Sequence, residues 1–271
     1  MKKNILYTMM LLVGGLMMVA CGGEDNNGTD TPGDTPGGNE GGGTEREWNR
    51  DNTLNVCYIT ALDDASANAN VETVAAYIKS NGIKTAVVDN TDIVKYADPT
   101  ACVNASTQLS FLSAKFCSFV MEGYNGDDIE GSTIVLNHKI NKVQTEKIAD
   151  DCFLQFVPTQ GPSMTKSTKM LDLPLAVVKF TSQSQIDAAE DALKKFNGNA
   201  YKAIYMGEVK TALAEQLKSK MAALNIGMSF VAEPVGEYTL FVAGRSNYVL
   251  RQSTSETVGS QTAFCLSIEV Q

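Results

Sequence analysis

The chain has 271 residues and a formal net charge of −9, and hydrophobic side chains make up 44% of it. Such an acidic surface repels phosphate backbones, and no cluster of lysine or arginine interleaved with aromatic residues offsets the repulsion. Nucleic acid is therefore not an expected partner.

The first segment joins Lys2 and Lys3 to an apolar run from Ile5 to Val19, followed by Cys21 and two glycines. This order is similar to the lipobox of bacterial lipoproteins, in which the cysteine is acylated and the preceding residues are removed. The alternative is a transmembrane helix, but an apolar run of about 15 residues is shorter than the roughly 20 that span a bilayer. We predict a signal peptide over 1–20, lipidation of Cys21, and an outer membrane lipoprotein that faces the periplasm or the cell surface.

Residues 21–47 are rich in Gly, Asp, Thr and Pro and contain almost no apolar side chains, which predicts a flexible tether that cannot form a core. Residues 48–271 have a length that suits one domain with a sizeable core.

The domain alternates strand and helix patterns along the chain. Nearly continuous apolar runs predict buried strands at 54–62 and 86–88, and between them Asn70 is placed to cap a helix that stops at Gly82. Two strands flanking Asn125-Gly126, over 115–121 and 133–140, predict an antiparallel hairpin.

The second half of the domain continues the pattern. Helices are predicted around 186–196 and 213–224, and strands at 175–180, 201–206, 228–231, 238–242 and 264–270. Hairpins combined with crossover helices predict an α/β fold with mixed sheets.

Five cysteines follow Cys21, and none forms a Cys-x-x-Cys motif. Most are expected to be small core residues. If any disulfide forms, Cys102 to Cys117 is the least implausible pairing.

Six short segments, in order, resemble motifs of the endonuclease/exonuclease/phosphatase superfamily. They are 54–60 (LNVCYIT), 86–89 (AVVD), 134–140 (IVLNHKI), 178–181 (VKFT), 207–210 (GEVK) and 260–262 (SQT). The resemblance covers nearly the whole domain and implies a two-sheet α/β sandwich with mixed sheets flanked by helices.

The same resemblance implies that the functional side chains have been replaced. The family's metal-binding asparagine corresponds to Thr60, and its catalytic histidines correspond to Thr181 and Thr262. The degenerate positions are Thr60, Asp89, Thr181, Glu208, Lys210, Gln261 and Thr262. The single histidine, His138, lies away from them by this alignment.

Hydrolysis of a phosphate ester by this family requires a metal ion and a base that activates water. We therefore expect a domain without catalytic residues or cofactor, which binds an unknown protein or glycan at the cell surface while the lipid holds it to the membrane. The alternative is a divergent phosphoesterase that binds Mg²⁺ through Asp89 and Glu208. A third possibility is an assembly subunit, which would present an exposed apolar patch.

Overall fold

The structure is a computed structural model that describes residues 53–60, 67–140, 143–161, 171–197, 203–231, 236–244 and 248–270. They belong to a compact unit spanning Glu45–Gln271. The predicted signal peptide, tether and lipidated Cys21 lie outside the described residues. None of the described helices is both long enough and apolar enough to cross a membrane.

The first sheet contains eight strands among the described residues. The strands are β1 Thr53–Ile59, β2 Thr85–Val88, β3 Ile93–Val94, β4 Val103–Asn104, β5 Phe116–Asn125, β6 Asp128–Leu136, β13 Tyr248–Val258 and β14 Gln261–Val270. Their order is β13-β14-β1-β2-β6-β3-β4, and β5 also pairs with β6. Only β1 and β2 are parallel neighbours, so the sheet is mixed.

The second sheet has six strands in the described part of the chain. They are β7 Gln144–Ala149, β8 Cys152–Gly161, β9 Leu171–Val177, β10 Ile204–Lys210, β11 Gly227–Phe230 and β12 Tyr238–Gly244. Their order is β11-β12-β10-β9-β8-β7, and the sheet is also mixed, because β9 and β10 are parallel.

Helices cover the outer faces of both sheets. One hydrophobic cluster joins the inner faces, including Val87 from the first sheet and Met206 from the second. A second cluster packs helices α1 (Ala67–Ser80) and α2 (Ala105–Ser113) on the first sheet. A third packs α3 (Gln183–Ala188), α4 (Glu190–Lys195) and α5 (Ala214–Ala223) on the second. The predicted α/β sandwich with mixed sheets is confirmed.

Several predicted elements agree with the structure. The side chains at 71, 74, 75 and 78 form the buried face of α1, and Gly82 adopts a left-handed φ of 60° just after the helix. The hairpin of β5 and β6 is antiparallel, and Gly126 in its turn has a φ of 63°.

Other details of the predicted pattern are wrong. Asn70 lies inside α1, which begins at Ala67, and so it is not the cap. The helix predicted at 186–196 is divided at Ala189 into α3 and α4. The segment 207–210 does not follow a strand but forms the second half of β10. Likewise, Gln261 and Thr262 begin β14 and do not precede it.

The structure does not contain the Cys102–Cys117 disulfide, since both residues are thiols. The strand register instead places Cys57 opposite Cys265, with 3.7 Å between their sulfur atoms. Both are buried in the cluster beneath α1, as expected for small core residues.

Candidate functional site

Charged side chains meet between the two sheets, at the edge where β1 and β2 end. Because these strands are parallel, Thr60 and Asp89 leave the first sheet at the same edge. Strand side chains alternate between faces, so Asp89 shares the inner face with Val87. Glu208 on β10 shares the inner face of the second sheet with Met206. Both carboxylates are buried, with 1% and 5% of the residue exposed.

Lys179 lies between these two carboxylates. Its Nζ is 3.5 Å from Oδ1 of Asp89 and 3.4 Å from Oε2 of Glu208. The lysine follows β9 in a segment that continues alongside β10, where the Phe180 amide donates to the Glu208 carbonyl over 2.9 Å. Val178 and Phe180 pack on the outer face, so the side chain of Lys179 points inward.

The close approach of this segment to β10 depends on Gly207. A Cβ atom at this position would lie 1.9 Å from the carbonyl oxygen of Val178, and the residue has a φ of 155°. Only glycine allows the two backbones to come this near. The glycine thus holds Lys179 beside Glu208.

A third carboxylate extends the site through Ser132 on β6. The Ser132 hydroxyl lies 3.1 Å from Oδ1 of Asp89 and 2.6 Å from Oε1 of Glu122. Glu122 is on β5 two residues after Val120, which belongs to the core between the sheets. Because strand side chains alternate between faces, the carboxylate of Glu122 also points inward.

Burial and mutual charge alter the protonation of these groups. Burial, followed by the charge of Asp89, raises the pKa of Glu208 to about 8. The same two causes raise the pKa of Glu122 to about 8. Burial disfavours the charged form of Lys179, but the charges of Asp89, Glu122 and Glu208 outweigh it and raise the lysine pKa above its usual value. Lys179 is therefore the permanent cation of the site.

Two tyrosines border the charged groups. Tyr58 on β1 is fully buried, and burial together with the charge of Asp89 raises its pKa well above the usual value. Lys179 also lies over the ring of Tyr238, with Nζ 4.8 Å from the ring centroid. A cation at this distance from an aromatic face gains a favourable electrostatic contact. The tyrosine ring therefore helps to hold Lys179 in place.

The family that the sequence motifs resemble uses a metal ion, but the residues present here do not suit one. Carboxylate oxygens are the ligands that Mg²⁺ prefers, yet Asp89 and Glu208 are both paired with the ammonium group of Lys179. A metal ion could bind these carboxylates only if it displaced the lysine. Otherwise it would place a second positive charge beside the ammonium group. Within the described residues there is no group of three or more His, Cys, Asp or Glu placed to hold a metal.

Thr60 and Thr262 are hydrogen-bonded to each other. The Thr262 amide donates to the Thr60 hydroxyl over 3.0 Å, and the Thr60 amide donates to the Thr262 carbonyl over 2.9 Å. These bonds fasten the end of β1 to the start of β14. Gln261 is buried beside them, and its side-chain amide donates to the Ser260 hydroxyl.

The other predicted positions lie apart from the carboxylates. The Thr181 amide and hydroxyl both donate to Oε1 of Gln185 at the start of α3. Lys210 pairs with Glu237 over 3.5 Å. His138 follows the end of β6 at the opposite edge of the sheet, because β6 is antiparallel to β2. Of the seven predicted positions, Asp89 and Glu208 are the two that meet around Lys179.

The sequence motifs do not point to Lys179, Glu122 or Ser132 as functional residues. Lys179 is inside the segment 178–181, where the resemblance of motifs points to Thr181. A lysine flanked by buried apolar residues at a strand end is the signal that could have identified it. Glu122 and Ser132 lie within strands, where the polar pattern alone does not mark a site.

Comparison with solved structures shows resemblance over most of the domain. An endonuclease/exonuclease/phosphatase family protein from Leptotrichia buccalis has a TM-score of 0.56 at 8% identity, covering 80% of this chain and 99% of the other. A protein of the same family from Bacteroides thetaiotaomicron gives 0.52 at 7% identity, covering 81% and 98%. A humanised TDP2 from D. rerio gives 0.50 at 8% identity, covering 80% and 99%.

At these identities the likeness shows the fold alone. It agrees with the two-sheet sandwich expected from the order of motifs. No family model matches the sequence, and no curated protein matches it either. The function must therefore be argued from the site.

Proposed function

We propose that this chain is an exported bacterial lipoprotein, anchored in the outer membrane through Cys21, whose domain recognises or assembles with a cell-surface ligand. The ligand would be a protein or a glycan, and phosphoester hydrolysis would be absent. The observation that carries this proposal is the placement of Lys179 between Asp89 and Glu208. These are the two acidic positions that could otherwise serve a metal-dependent phosphoesterase.

The lysine opposes metal-dependent chemistry for an electrostatic reason. A divalent cation beside a buried ammonium group would be repelled. If the metal displaced the lysine instead, the ammonium group would lose its carboxylate partners, which is unfavourable. The lysine also differs from a metal ion in what it can do, since it cannot bind and acidify a water molecule as a metal does.

The groups that could transfer a proton are also occupied or missing. Thr181 and Thr262 take the positions of histidines in the resembled family, and a threonine hydroxyl does not titrate near neutral pH. Thr181 donates to Gln185, and Thr262 is joined to Thr60. This arrangement favours a structural role for both threonines.

The decisive experiment measures hydrolysis of generic phosphodiesters and phosphomonoesters by the purified chain with Mg²⁺ or Mn²⁺. We expect no turnover above that of the Asp89→Ala variant, and no rise of the melting temperature with either metal. The matched variant Lys179→Ala should gain a metal-dependent rise of the melting temperature, because it frees both carboxylates. Turnover by the native chain that Asp89→Ala or Glu208→Ala abolishes would refute the proposal.

One observation favours the alternative, a divergent phosphoesterase using Asp89 and Glu208. The two carboxylates face one cation in the same site, as that alternative requires. It would need Lys179 to leave when metal binds. Metal would then raise the melting temperature of the native chain as well as that of Lys179→Ala, which distinguishes the two functions in the same melting experiment.

The lipid anchor requires its own test. Cells grown with a chemically tagged fatty acid should incorporate the tag into the native chain and not into a Cys21→Ala variant. Digestion of intact cells with an added protease then distinguishes the cell surface from the periplasm. Equal tagging of both chains would contradict lipidation at Cys21.

A further inference from the structure

Two buried cysteines lie opposite each other on β1 and β14. Cys57 pairs with Cys265 in the strand register, and their sulfur atoms are 3.7 Å apart. Both residues are thiols in the structure, with 1% and 4% of the residue exposed. They are 208 positions apart in the sequence, so a covalent bond between them would close nearly the whole domain into one loop.

The backbone at this pair has the geometry that a disulfide requires. The Thr60 amide donates to the Thr262 carbonyl over 2.9 Å, so residues 60 and 262 form a hydrogen-bonded pair. Hydrogen-bonded and non-hydrogen-bonded pairs alternate along an antiparallel ladder, which makes Cys57 and Cys265 a non-hydrogen-bonded pair. The Cα atoms of such a pair are about 4.5 Å apart. Disulfides join residues whose Cα atoms are about 4.4 to 6.8 Å apart.

The sulfur atoms are already close to bonding distance. A disulfide bond is about 2 Å long, so rotation of the two side chains has to bring the sulfur atoms less than about 2 Å closer. Tyr77 on α1 covers the pair, with its hydroxyl 3.5 Å from the Cys265 sulfur. The same hydroxyl donates to Glu256 on β13, which ties the helix to the sheet above the two cysteines.

The strand order keeps Cys57 away from the other cysteines of the core. Cys57 pairs with Ala86 on β2. Val135 on β6 lies between Ala86 and Cys117 on β5, so Cys117 is three strand spacings from Cys57, or about 14 Å. Cys152 belongs to the cluster on the outer face of the second sheet. Among the described cysteines, Cys265 is therefore the one that the register places within reach of Cys57.

We propose that Cys57 and Cys265 form a disulfide across β1 and β14 when the exported chain folds. This inference rests on the proposed function, because it requires the chain to reach a compartment in which disulfides form. The oxidant is a disulfide donor of the thiol oxidoreductase class.

The reaction is two successive thiol–disulfide exchanges. The thiolate of one cysteine attacks the donor disulfide, which forms a mixed disulfide and releases one donor thiol. The thiolate of the other cysteine then attacks its partner's sulfur in the mixed disulfide, forms the Cys57–Cys265 bond and releases the second donor thiol. The two cysteines lose two electrons and two protons, and the donor ends as a dithiol.

Burial determines when this exchange takes place. A donor cannot reach the two sulfur atoms once α1 covers them, so the bond forms before α1 packs on the sheet. A reductant is excluded in the same way, which makes the disulfide a structural bond and not a reversible switch. Its contribution to stability is large because it restricts a long loop in the unfolded chain.

Peptide mapping tests the pairing directly. Trypsin cleaves after lysine and arginine, which leaves Cys57 in peptide 51–79 and Cys265 in peptide 252–271. The full chain is refolded with reduced and oxidised glutathione, its remaining thiols are blocked, and it is digested without a reductant. We expect mass spectrometry to show these two peptides linked, and separate after reduction. Absence of this link would overturn the proposal.

Thermal unfolding measures the effect on stability. The chain refolded with excess dithiothreitol should melt roughly 10 °C below the chain refolded with glutathione. Cys57→Ala should remove this difference, and the matched control Cys117→Ala should keep it. Equal melting of the native chain in both conditions would contradict the proposal, as would loss of the difference in Cys117→Ala. The comparison of these two chains does not require Cys57→Ala to fold.

The same digest of chain isolated from cells separates the pairing from export. Linked peptides in the membrane fraction would support both. If the chain stays in the cytoplasm as a thiol while the refolded chain forms the link, export is wrong and the pairing stands. Thiols at Cys57 and Cys265 in chain recovered from the membrane fraction would overturn the pairing and leave export intact.

Discussion

At the scale of single residues, Lys179 supplies the positive charge in a buried cluster whose other ionisable members are the carboxyl groups of Asp89, Glu122 and Glu208. Replacing it with methionine keeps the length of the side chain but removes the charge. Breaking a buried ion pair in this way costs about 3 to 5 kcal/mol of unfolding free energy. Urea denaturation of Lys179→Met measures the loss, and lowering the pH should recover part of it as the carboxylates become protonated.

Lys218→Met is the control for this prediction. Lys218 pairs with Glu215 over 3.9 Å on the exposed face of α5. An exposed pair contributes less than about 1 kcal/mol, so this variant should unfold almost like the native chain. Equal losses in the two variants would mean that Lys179 does not act as a buried counterion.

The raised pKa values of Glu122 and Glu208 predict how stability changes with pH. Each carboxyl titrates near 4.5 when unfolded and at about 8 when folded. Between these values the folded state binds more protons, so the unfolding free energy falls as pH rises from about 5 to 8. Each retained proton contributes a slope of at most about 1.4 kcal/mol per pH unit.

Glu208→Gln should flatten this dependence, because the amide cannot titrate. Glu215→Gln on exposed α5 is the matched control and should leave the slope unchanged. Urea denaturation between pH 5 and 8.5 gives the slopes for all three proteins. If the unfolding free energy of the native chain rose with pH over this range, the protonated state assigned to these carboxyl groups would be contradicted.

The candidate site could be predicted from the sequence only in part. Asp89 and Glu208 follow from the order of motifs, because each comes just after an apolar run that predicts a buried strand, 86–88 and 201–206. Glu122 is not identified, because the strand predicted from the sequence ends at residue 121, whereas β5 continues to Asn125. Its inward direction follows from alternation with Val120 only once the strand is known to extend this far.

At the scale of elements, β10 can lie against the segment after β9 only because residue 207 is glycine. Gly207→Ala would place a Cβ atom 1.9 Å from the Val178 carbonyl oxygen. Backbone must shift to relieve this contact, at a cost of about 3 kcal/mol or more of unfolding free energy. Thermal unfolding should show the loss.

Gly126→Ala provides the comparison at a turn. Gly126 has a φ of 63°, but a Cβ atom there would meet nothing within 4 Å. Only the left-handed backbone is unfavourable for alanine, which costs about 1 to 2 kcal/mol. If the two variants were equally stable, close backbone contact at Gly207 would not be the reason for its glycine.

Whether the sequence predicts an element depends on how that element is buried. Helix α1 and strand β2 have continuous apolar faces, and the sequence predicts both. It does not predict β7, with the sequence QTEKIA, or the middle of β13, RQSTSET, which are polar edge strands. Their strand structure comes from pairing with β8 and β14, which follow them after short turns. A run of polar side chains does not reveal this pairing when the sequence is read locally.

At the scale of the whole molecule, the first and last described strands hold the first sheet together. β14 lies between β13 and β1, and β1 pairs with it from Thr53 to Ile59. Deleting residues 261–271 would expose the edge of a central strand and remove Phe264, Leu266 and Ile268 from the core between the sheets. We expect an unfolded or aggregated product, seen by circular dichroism and size-exclusion chromatography.

Removing residues 1–44 is the opposite case. The compact unit begins at Glu45, so this deletion should leave the melting temperature of the domain unchanged. A large fall in melting temperature would show that the first 44 residues contribute to the folded domain. The two deletions together define which parts of the chain the domain needs.

Lys179 also changes how the domain depends on its surroundings. A metal ion comes from solution, so its occupancy follows the free concentration of the ion, and a chelating molecule can strip it away. The ammonium group is attached to the chain by covalent bonds and is present once in every copy from the moment of synthesis. A domain balanced in this way keeps its central charge in media depleted of divalent ions, where proteins that need those ions compete for the same scarce supply.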